Sequence, residues 1–334
     1  MRRKSPLSGE DRMIARYFGP IASHPGALGL TDDAAFFTPP EGQDLVVTTD
    51  ALVAGVHFFP NDPADAVARK ALRVNLSDLA AKGAAPAGLL LSLALPNNVG
   101  EKWLKSFSSG LRADVKLFGC PLLGGDSVRT PGPVTITITA FGTLPRGGMV
   151  KRSVAQPGDT ILVTGTIGDA ALGLRLRCDP KTAKRWKLAV KAEKHLLGRY
   201  LLPQPRNALA ETLRLHATAA MDISDGLVGD LAKLCRVSGV SATIDVEKVP
   251  LSTAARAARA ADRSALETIL TGGDDYEILC TVPPGRVEPL RSAAGSAGVG
   301  LTAIGEVVAG TGAPVFRDPD GRTIVFKSPA FSHF

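Results

Sequence analysis

A polar stretch rich in turn formers opens at Pro145-Arg146-Gly147-Gly148, closes at Gln156-Pro157-Gly158-Asp159 and interrupts the chain near its middle. Prolines and glycines at this density end regular structure, so the residues on either side are expected to build separate cores. Before the break, the pattern predicts strands over residues 45–50, 89–95 and 134–141. It also predicts a helix from Asp62-Pro63 to about Lys82, stopped by Gly83, and an amphipathic helix over 101–118. After it come strands at 160–164, 219–223, 242–246, 277–282 and 301–308, helices over 169–177 and 227–237, and a hairpin turn at Asp318-Pro319-Asp320-Gly321. Strands and helices mixed in both blocks specify an α/β or α+β protein of two domains, drawn at residues 1–147 and 148–334.

Composition narrows the function classes. Of 334 residues, 45% are hydrophobic and 21% charged, which suits a globular chain rather than a disordered one. The apolar runs near 89–91 and 161–163 fall far short of the ~20 residues a membrane helix needs. The basic start Met1-Arg2-Arg3-Lys4 leads into Ser8-Gly9-Glu10-Asp11-Arg12 instead of an apolar core, so a cytoplasmic protein is expected. Cys120, Cys178, Cys235 and Cys280 are widely spaced, with no CxxC pair, and are read as reduced, buried thiols. A net charge of +7 suits a small anionic ligand better than nucleic acid, because aromatics at 5% supply few base-stacking platforms.

The aspartates carry the chemical signal. Asp32-Asp33, Asp50, Asp78, Asp126, Asp222, Asp225 and Asp274-Asp275 are placed mostly at strand ends or in glycine-flanked turns. Short carboxylates on rigid backbone are what Mg²⁺ sites use, since octahedral geometry at about 2.1 Å tolerates little slack. Any one of them is explained equally well as a cap or turn former. Three contexts go further. Thr48-Thr49-Asp50 closes an apolar strand with two hydroxyls and a carboxylate. In Leu123-Gly124-Gly125-Asp126-Ser127 the glycines let backbone approach a phosphate while Asp126 holds a metal. Met221-Asp222-Ile223-Ser224-Asp225-Gly226-Leu227 sets two carboxylates at a strand-to-helix junction. P-loop, protein-kinase, H-E-x-x-H and G-x-S-x-G signatures are missing, and His57 beside Phe58 reads equally as a core residue.

Taken in order, these residues resemble the thiamine-monophosphate kinase family, of the superfamily that includes aminoimidazole ribonucleotide synthetase and selenophosphate synthetase. The resemblance runs through residues 10–18 (EDRMIARYF), Asp32-Asp33-Ala34-Ala35, 48–58 (TTDALVAGVHF), 74–83 (VNLSDLAAKG), Gly124-Gly125-Asp126, 158–168, 221–227, 272–279 (GGDDYEIL) and His333-Phe334. It implies an N-terminal α/β domain whose sheet spans a homodimer, a C-terminal α+β domain, and ATP in the cleft between. It further implies several Mg²⁺ ions on Asp33, Thr48, Thr49, Asp50, Asp78, Asp126, Asp222 and Asp225. ATP would touch Gly125, Asp126, Arg152 and Ser224, and thiamine monophosphate His57, Asp274 and Phe331, with Asp50 and Asp126 sharing the ion nearest the transferred phosphoryl. The family usually has Gly at Thr31, Glu at Asp274 and Trp or Tyr at Phe331. The expected reaction moves the γ-phosphoryl of ATP to the substrate phosphate.

Two alternatives stay open at this stage. One is a sister ATP-dependent synthetase of the superfamily; against the selenophosphate type, no Cys precedes Cys120, and against the hydrogenase-maturation type, Ser332-His333-Phe334 lacks a terminal Cys. The other is a basic nucleic-acid-binding dimer using the Lys/Arg-rich residues 181–194, a run that is equally a solvated helix face.

Overall fold

A computed structural model describes residues 8–327, which fall into two compact units. The first comprises the described residues through Leu79 with Ala85–Arg146, and the second Ala80–Ala84 with the residues from Gly147 on.

In the first unit a short helix α1 (Gly9–Met13) is followed by β1 (Gln43–Val53), α2 (Ala64–Ala81), β2 (Ala85–Leu95), α3 (Glu101–Phe118), β3 (Leu122–Arg129) and β4 (Thr135–Pro145). The sheet order is β1-β4-β2-β3, with β2 and β3 parallel and the other pairs antiparallel. Strict alternation along β4 buries Ile136, Ile138, Ala140 and Leu144 on one face. The register sets these beside Leu52 and Val46 of β1 and Leu89, Leu91 and Leu93 of β2, so they form one apolar layer. Leu72, Leu76 and Leu79 of α2 and Phe107 and Leu111 of α3 are buried as well. The opposite face stays open, with Leu45, Val47 and Val128 exposed on it.

The second unit contains β5 (Thr160–Thr164), α4 (Asp169–Cys178), α5 (Lys181–Arg185), α6 (Val190–Leu201), α7 (Ala210–His216), β6 (Ala219–Asp222), α8 (Leu227–Ser238), β7 (Ser241–Asp245), α9 (Thr253–Ala261), α10 (Ala265–Thr271), β8 (Ile278–Val282), α11 (Val287–Ser296), β9 (Leu301–Val308) and β10 (Val315–Arg317). Its sheet order is β10-β7-β9-β5-β8-β6, antiparallel except for β10 with β7. Apolar layers cover both faces: Ile161 and Val163 join one core with Leu172, Leu231 and Ile269, while Leu162 joins the other with Leu213 and Leu290. Covering on both sides is why β5 reads as an unbroken apolar run rather than an alternating one.

The mixed α/β class is therefore what the structure shows. Two local expectations change. Thr48-Thr49-Asp50 does not close its strand, because Ala51-Leu52-Val53 continue the ladder opposite Thr137 to Thr135. The Gly124-Gly125-Asp126 segment is neither a strand end nor a glycine-flanked turn but the middle of β3, where Gly125 pairs with Leu91 and Asp126 with Ser92. Among the described residues no helix is long and apolar enough to cross a membrane.

Candidate active site

Strand pleating sorts the first unit's residues. Side chains two apart share a face, so Thr48 and Asp50 lie with Val46 and Leu52, on the side of the apolar layer. There the Thr48 hydroxyl donates to the Asp78 carboxylate of α2 at 2.5 Å. Thr49 points the other way, donating to the Ile138 carbonyl at 3.2 Å and lying 3.1 Å from the Thr139 hydroxyl. The two hydroxyls expected to serve one cation are thus on opposite faces, a consequence of the two-residue period.

Asp126 also lies on the open face, since its register partner Ser92 is set against Thr137. Its strand is three sheet spacings from β1, about 14 Å. Within one chain, then, Asp50 and Asp126 do not converge on a shared ion as expected. Asp126 instead joins Asp32, Asp33 and Gly125 around a cavity of about 640 Å³ that Phe36 and Phe141 also line. Gly125 is fixed by packing: a Cβ there would sit 1.8 Å from the Leu91 carbonyl oxygen.

His57 folds back on the end of β1. Its Nδ1 accepts the Val53 N–H at 3.0 Å, its own N–H donates to the Val53 carbonyl at 2.9 Å, and its carbonyl accepts from the buried Lys70 ammonium at 3.1 Å. One ring nitrogen is therefore committed to closing a turn.

In the second unit, β6 delivers Asp222, Ser224 and Asp225 to the start of α8. Asp222 is buried, while Ser224 and Asp225 are partly exposed. The N–H groups of Ser224 and Asp225 both donate to the fully buried Asp230 carboxylate, at 3.0 and 2.9 Å. Lys233 pairs with Asp225 and, at 2.8 Å, with Asp230. Burial raises the Asp230 carboxyl above its ordinary value. For Lys233 burial acts downward, but its hydrogen bonds to Asp225 and Asp230 outweigh it and hold the ammonium above the usual lysine value.

Asp274 lies directly beside Ser224, its N–H donating to the Ser224 carbonyl at 2.8 Å. It adopts φ +69°, and Tyr276 φ +50°, both left-handed without glycine's freedom. Between and after them, Asp275 and Glu277 turn inward and are fully buried. Burial pushes the Asp275 carboxyl well above the ordinary carboxylate range, although it accepts the Gly168 N–H at 2.7 Å. Arg152 is anchored through its backbone between α8 and β6. Its carbonyl is held by Ser238 at the end of α8, and the preceding Lys151 carbonyl accepts the Ala220 N–H of β6 at 3.2 Å. Phe331 lies outside the described residues.

Sequence reasoning passed over Asp230, Glu277 and Arg199, and it counted Asp275 among the candidate donors, whereas Asp275 is fully buried and, like them, holds its turn from beneath. Asp230 had a readable signal, an acidic residue in the first turn of a helix. The partners of Asp275 and Glu277 are distant in sequence and had none.

Among the described residues no group of three or more His, Cys, Asp or Glu is placed to hold a metal ion. The donors present, Thr48, Asp50 and Asp78, then Asp32, Asp33 and Asp126, then Asp222 and Asp225, are all hard oxygen ligands. Such sets fit Mg²⁺, which takes one or two carboxylates and completes its shell with water and substrate phosphates.

Comparison with known proteins defines the class. Residues 31–144 match the family model for the AIR synthase related protein N-terminal domain, and residues 156–317 that for the C-terminal domain, so this is an AIR synthase related chain of two domains. A thiamine-monophosphate kinase from Salmonella typhimurium is 43% identical over 331 residues, covering 98% of each chain. The crystal structure of thiamine-monophosphate kinase from Stenotrophomonas maltophilia superposes with a TM-score of 0.79 at 39% identity, over 88% of this chain and 91% of that one. AaThiL, solved complexed with AMPPCP and TMP, gives 0.77 at 32% identity over 91% of each. The chain belongs to the thiamine-monophosphate kinase family.

Proposed function

We propose that this protein transfers the γ-phosphoryl of ATP to thiamine monophosphate, giving thiamine diphosphate and ADP. The observation that carries this reading is the relationship itself, near-complete coverage by curated thiamine-monophosphate kinases together with a relative solved with AMPPCP and TMP. The donor set agrees. Carboxylates and hydroxyls dominate the candidate residues, and the reaction asks for no Ser–His or Lys base. A phosphate monoester has its second pKa near 6 and is already largely ionised at neutral pH. The barrier is the approach of two anions, which catalysis lowers by positioning and charge neutralisation.

In this reading Asp33 and Asp126, and separately Thr48, Asp50 and Asp78, hold Mg²⁺ in the first unit, and Asp222 and Asp225 do so in the second. The side chain of Thr49, on the opposite face from Thr48, serves the sheet. Bound there, Mg²⁺ would supply the positive charge that neutralises the phosphates. Ser224 and the Gly125–Asp126 segment orient ATP, Arg152 adds fixed positive charge, and Asp274 meets the cationic thiamine with His57 and Phe331. The open sheet face of the first unit, where Val47 is 55% exposed between Leu45 and Thr49, supports pairing of two copies into a homodimer. Four free cysteines agree with a reducing, cytoplasmic setting.

The test is the acceptor. With ATP and Mg²⁺ present, thiamine monophosphate is expected to be turned over at least a hundredfold faster than thiamine, whose hydroxyl would need deprotonation. Equal rates would reveal a base and overturn this mechanism.

A further inference from the structure

Arg199, on α6, is a cation from a helix that supplies none of the residues assigned above, yet its side chain is only 11% exposed. Its Nη2 donates to the Glu277 carboxylate at 2.8 Å and to the backbone carbonyl of Asp275 at 3.3 Å. Glu277 is itself fully buried and held from its other side: Arg206 donates from Nε at 2.7 Å and also from Nη2, and Thr164 from its hydroxyl at 2.6 Å. Asp275, whose carbonyl Arg199 grips, ties its carboxylate to the Gly168 N–H at 2.7 Å.

These anchored residues alternate with the two in left-handed conformation, Asp274 and Tyr276. A non-glycine backbone in that region persists only where its surroundings over-determine it. On the other side the same segment is pinned to β6 and the following turn. The Asp274 N–H donates to the Ser224 carbonyl and the Tyr276 N–H to the Ile223 carbonyl, both at 2.8 Å, and the Ile223 N–H returns to the Glu277 carbonyl at 2.8 Å. Gly273 is pressed so close that a Cβ would meet the Ser224 carbonyl oxygen at 2.1 Å. Alternation along 274–277 then leaves Asp274 and Tyr276 partly exposed and sends Asp275 and Glu277 into the protein.

We propose that Arg199, oriented by Glu277, is a positioning residue for thiamine monophosphate: it clamps the 273–276 turn so that Asp274 is presented to the substrate beside Ser224. This rests on the function proposed above. Arg199 makes no substrate contact in this account and acts through the turn.

The variants are Arg199→Met, which keeps length and loses the donors, and Arg199→Lys, which keeps the charge and loses the fork. Because Arg206 and Thr164 still satisfy Glu277, the second unit is expected to fold in both. Steady-state kinetics with each substrate varied in turn should show the KM for thiamine monophosphate raised at least tenfold in Arg199→Met, less in Arg199→Lys, with the KM for ATP within twofold of wild type. In an Asp274→Ala background, Arg199→Met should add no further rise, since the residue it positions is gone. Overturning results are an unchanged KM for thiamine monophosphate in the folded variant, equal rises for both substrates with a lowered melting temperature, or full multiplication of the two effects in the double variant. If Arg199→Met does not fold, Arg199→Lys decides by the same readouts. Amide hydrogen exchange over 272–277 reads the clamp without turnover: faster exchange in Arg199→Met is expected and unchanged exchange refutes it. Should the wild type fail to phosphorylate thiamine monophosphate, the functional reading falls while the exchange result still decides the clamp.

Discussion

Gly125→Ala separates a glycine needed by the sheet from a glycine needed by a ligand. The added Cβ would sit 1.8 Å from the Leu91 oxygen and 2.7 Å from its carbonyl carbon, both backbone atoms that cannot rotate away. Restoring ordinary contact pushes β3 from β2 by about 1.5 Å, enough to break the local ladder hydrogen bonds. Two bonds lost, with their groups left partly unsatisfied, cost about 3 kcal/mol. For a unit of roughly 140 residues with about 2.1 cal/mol/K of unfolding entropy per residue, that is a fall of about 10 °C in its melting temperature. Gly124→Ala is the control, since its Cβ meets only the Leu90 side chain at 3.4 Å, and it should stay within about 0.5 kcal/mol of wild type. Differential scanning calorimetry of the two variants checks this. If both kept the wild-type melting temperature and both lost activity, the glycines would be serving a phosphate and the packing argument would be wrong.

Asp50→Asn and Asp126→Asn should each reduce kcat by orders of magnitude with unchanged unfolding, and their effects should multiply in the double variant because their strands are about 14 Å apart and the two side chains leave opposite faces of the sheet; marked non-additivity in a kinetic double-mutant cycle would contradict that separation. A thiol reagent at pH 8 should label Cys178 alone in the native protein, because Cys178 is exposed whereas burial pushes Cys120 and Cys280 up to about 12 and Cys235 to about 11; labelling of two or more thiols before unfolding contradicts it. Burial raises Asp275 in the folded state above its unfolded value of about 3.9, so its contribution to stability is fully present below pH 4 and is lost as pH rises through the folded value. Asp275→Asn should therefore gain stability relative to wild type as pH rises above 4 in denaturant titrations, and a constant difference across that range would refute the assignment.

The elements with strong periodicity were legible in the sequence. The 18-residue pattern of α3 and the β9 run carry their own amphipathic or apolar signature, and both occur at the expected residues. What sequence alone could not supply was the side on which each candidate points. Thr48, Thr49 and Asp50 look like one donor group in a string, and only the pleat divides them. The strand identity of 122–129 was hidden because glycine, aspartate and serine disfavour strands, and here close approach to β2 outweighs propensity. Helices α9, α10 and α11 went unread for a related reason: they are short or rich in alanine, and their packing partners are remote. The motif GGDDYEIL was visible as a signal, but the division of labour within it is a property of the fold. Asp274 faces outward on strained backbone, while Asp275 and Glu277 hold it from below.

Transfer of the γ-phosphoryl to the substrate phosphate is followed with γ-³²P-ATP in the presence of Mg²⁺ and thiamine monophosphate. The expected result is label recovered in the terminal phosphate of thiamine diphosphate, one equivalent for each ADP formed. ADP accompanied by free labelled phosphate, with no labelled thiamine diphosphate from the folded protein, would contradict it.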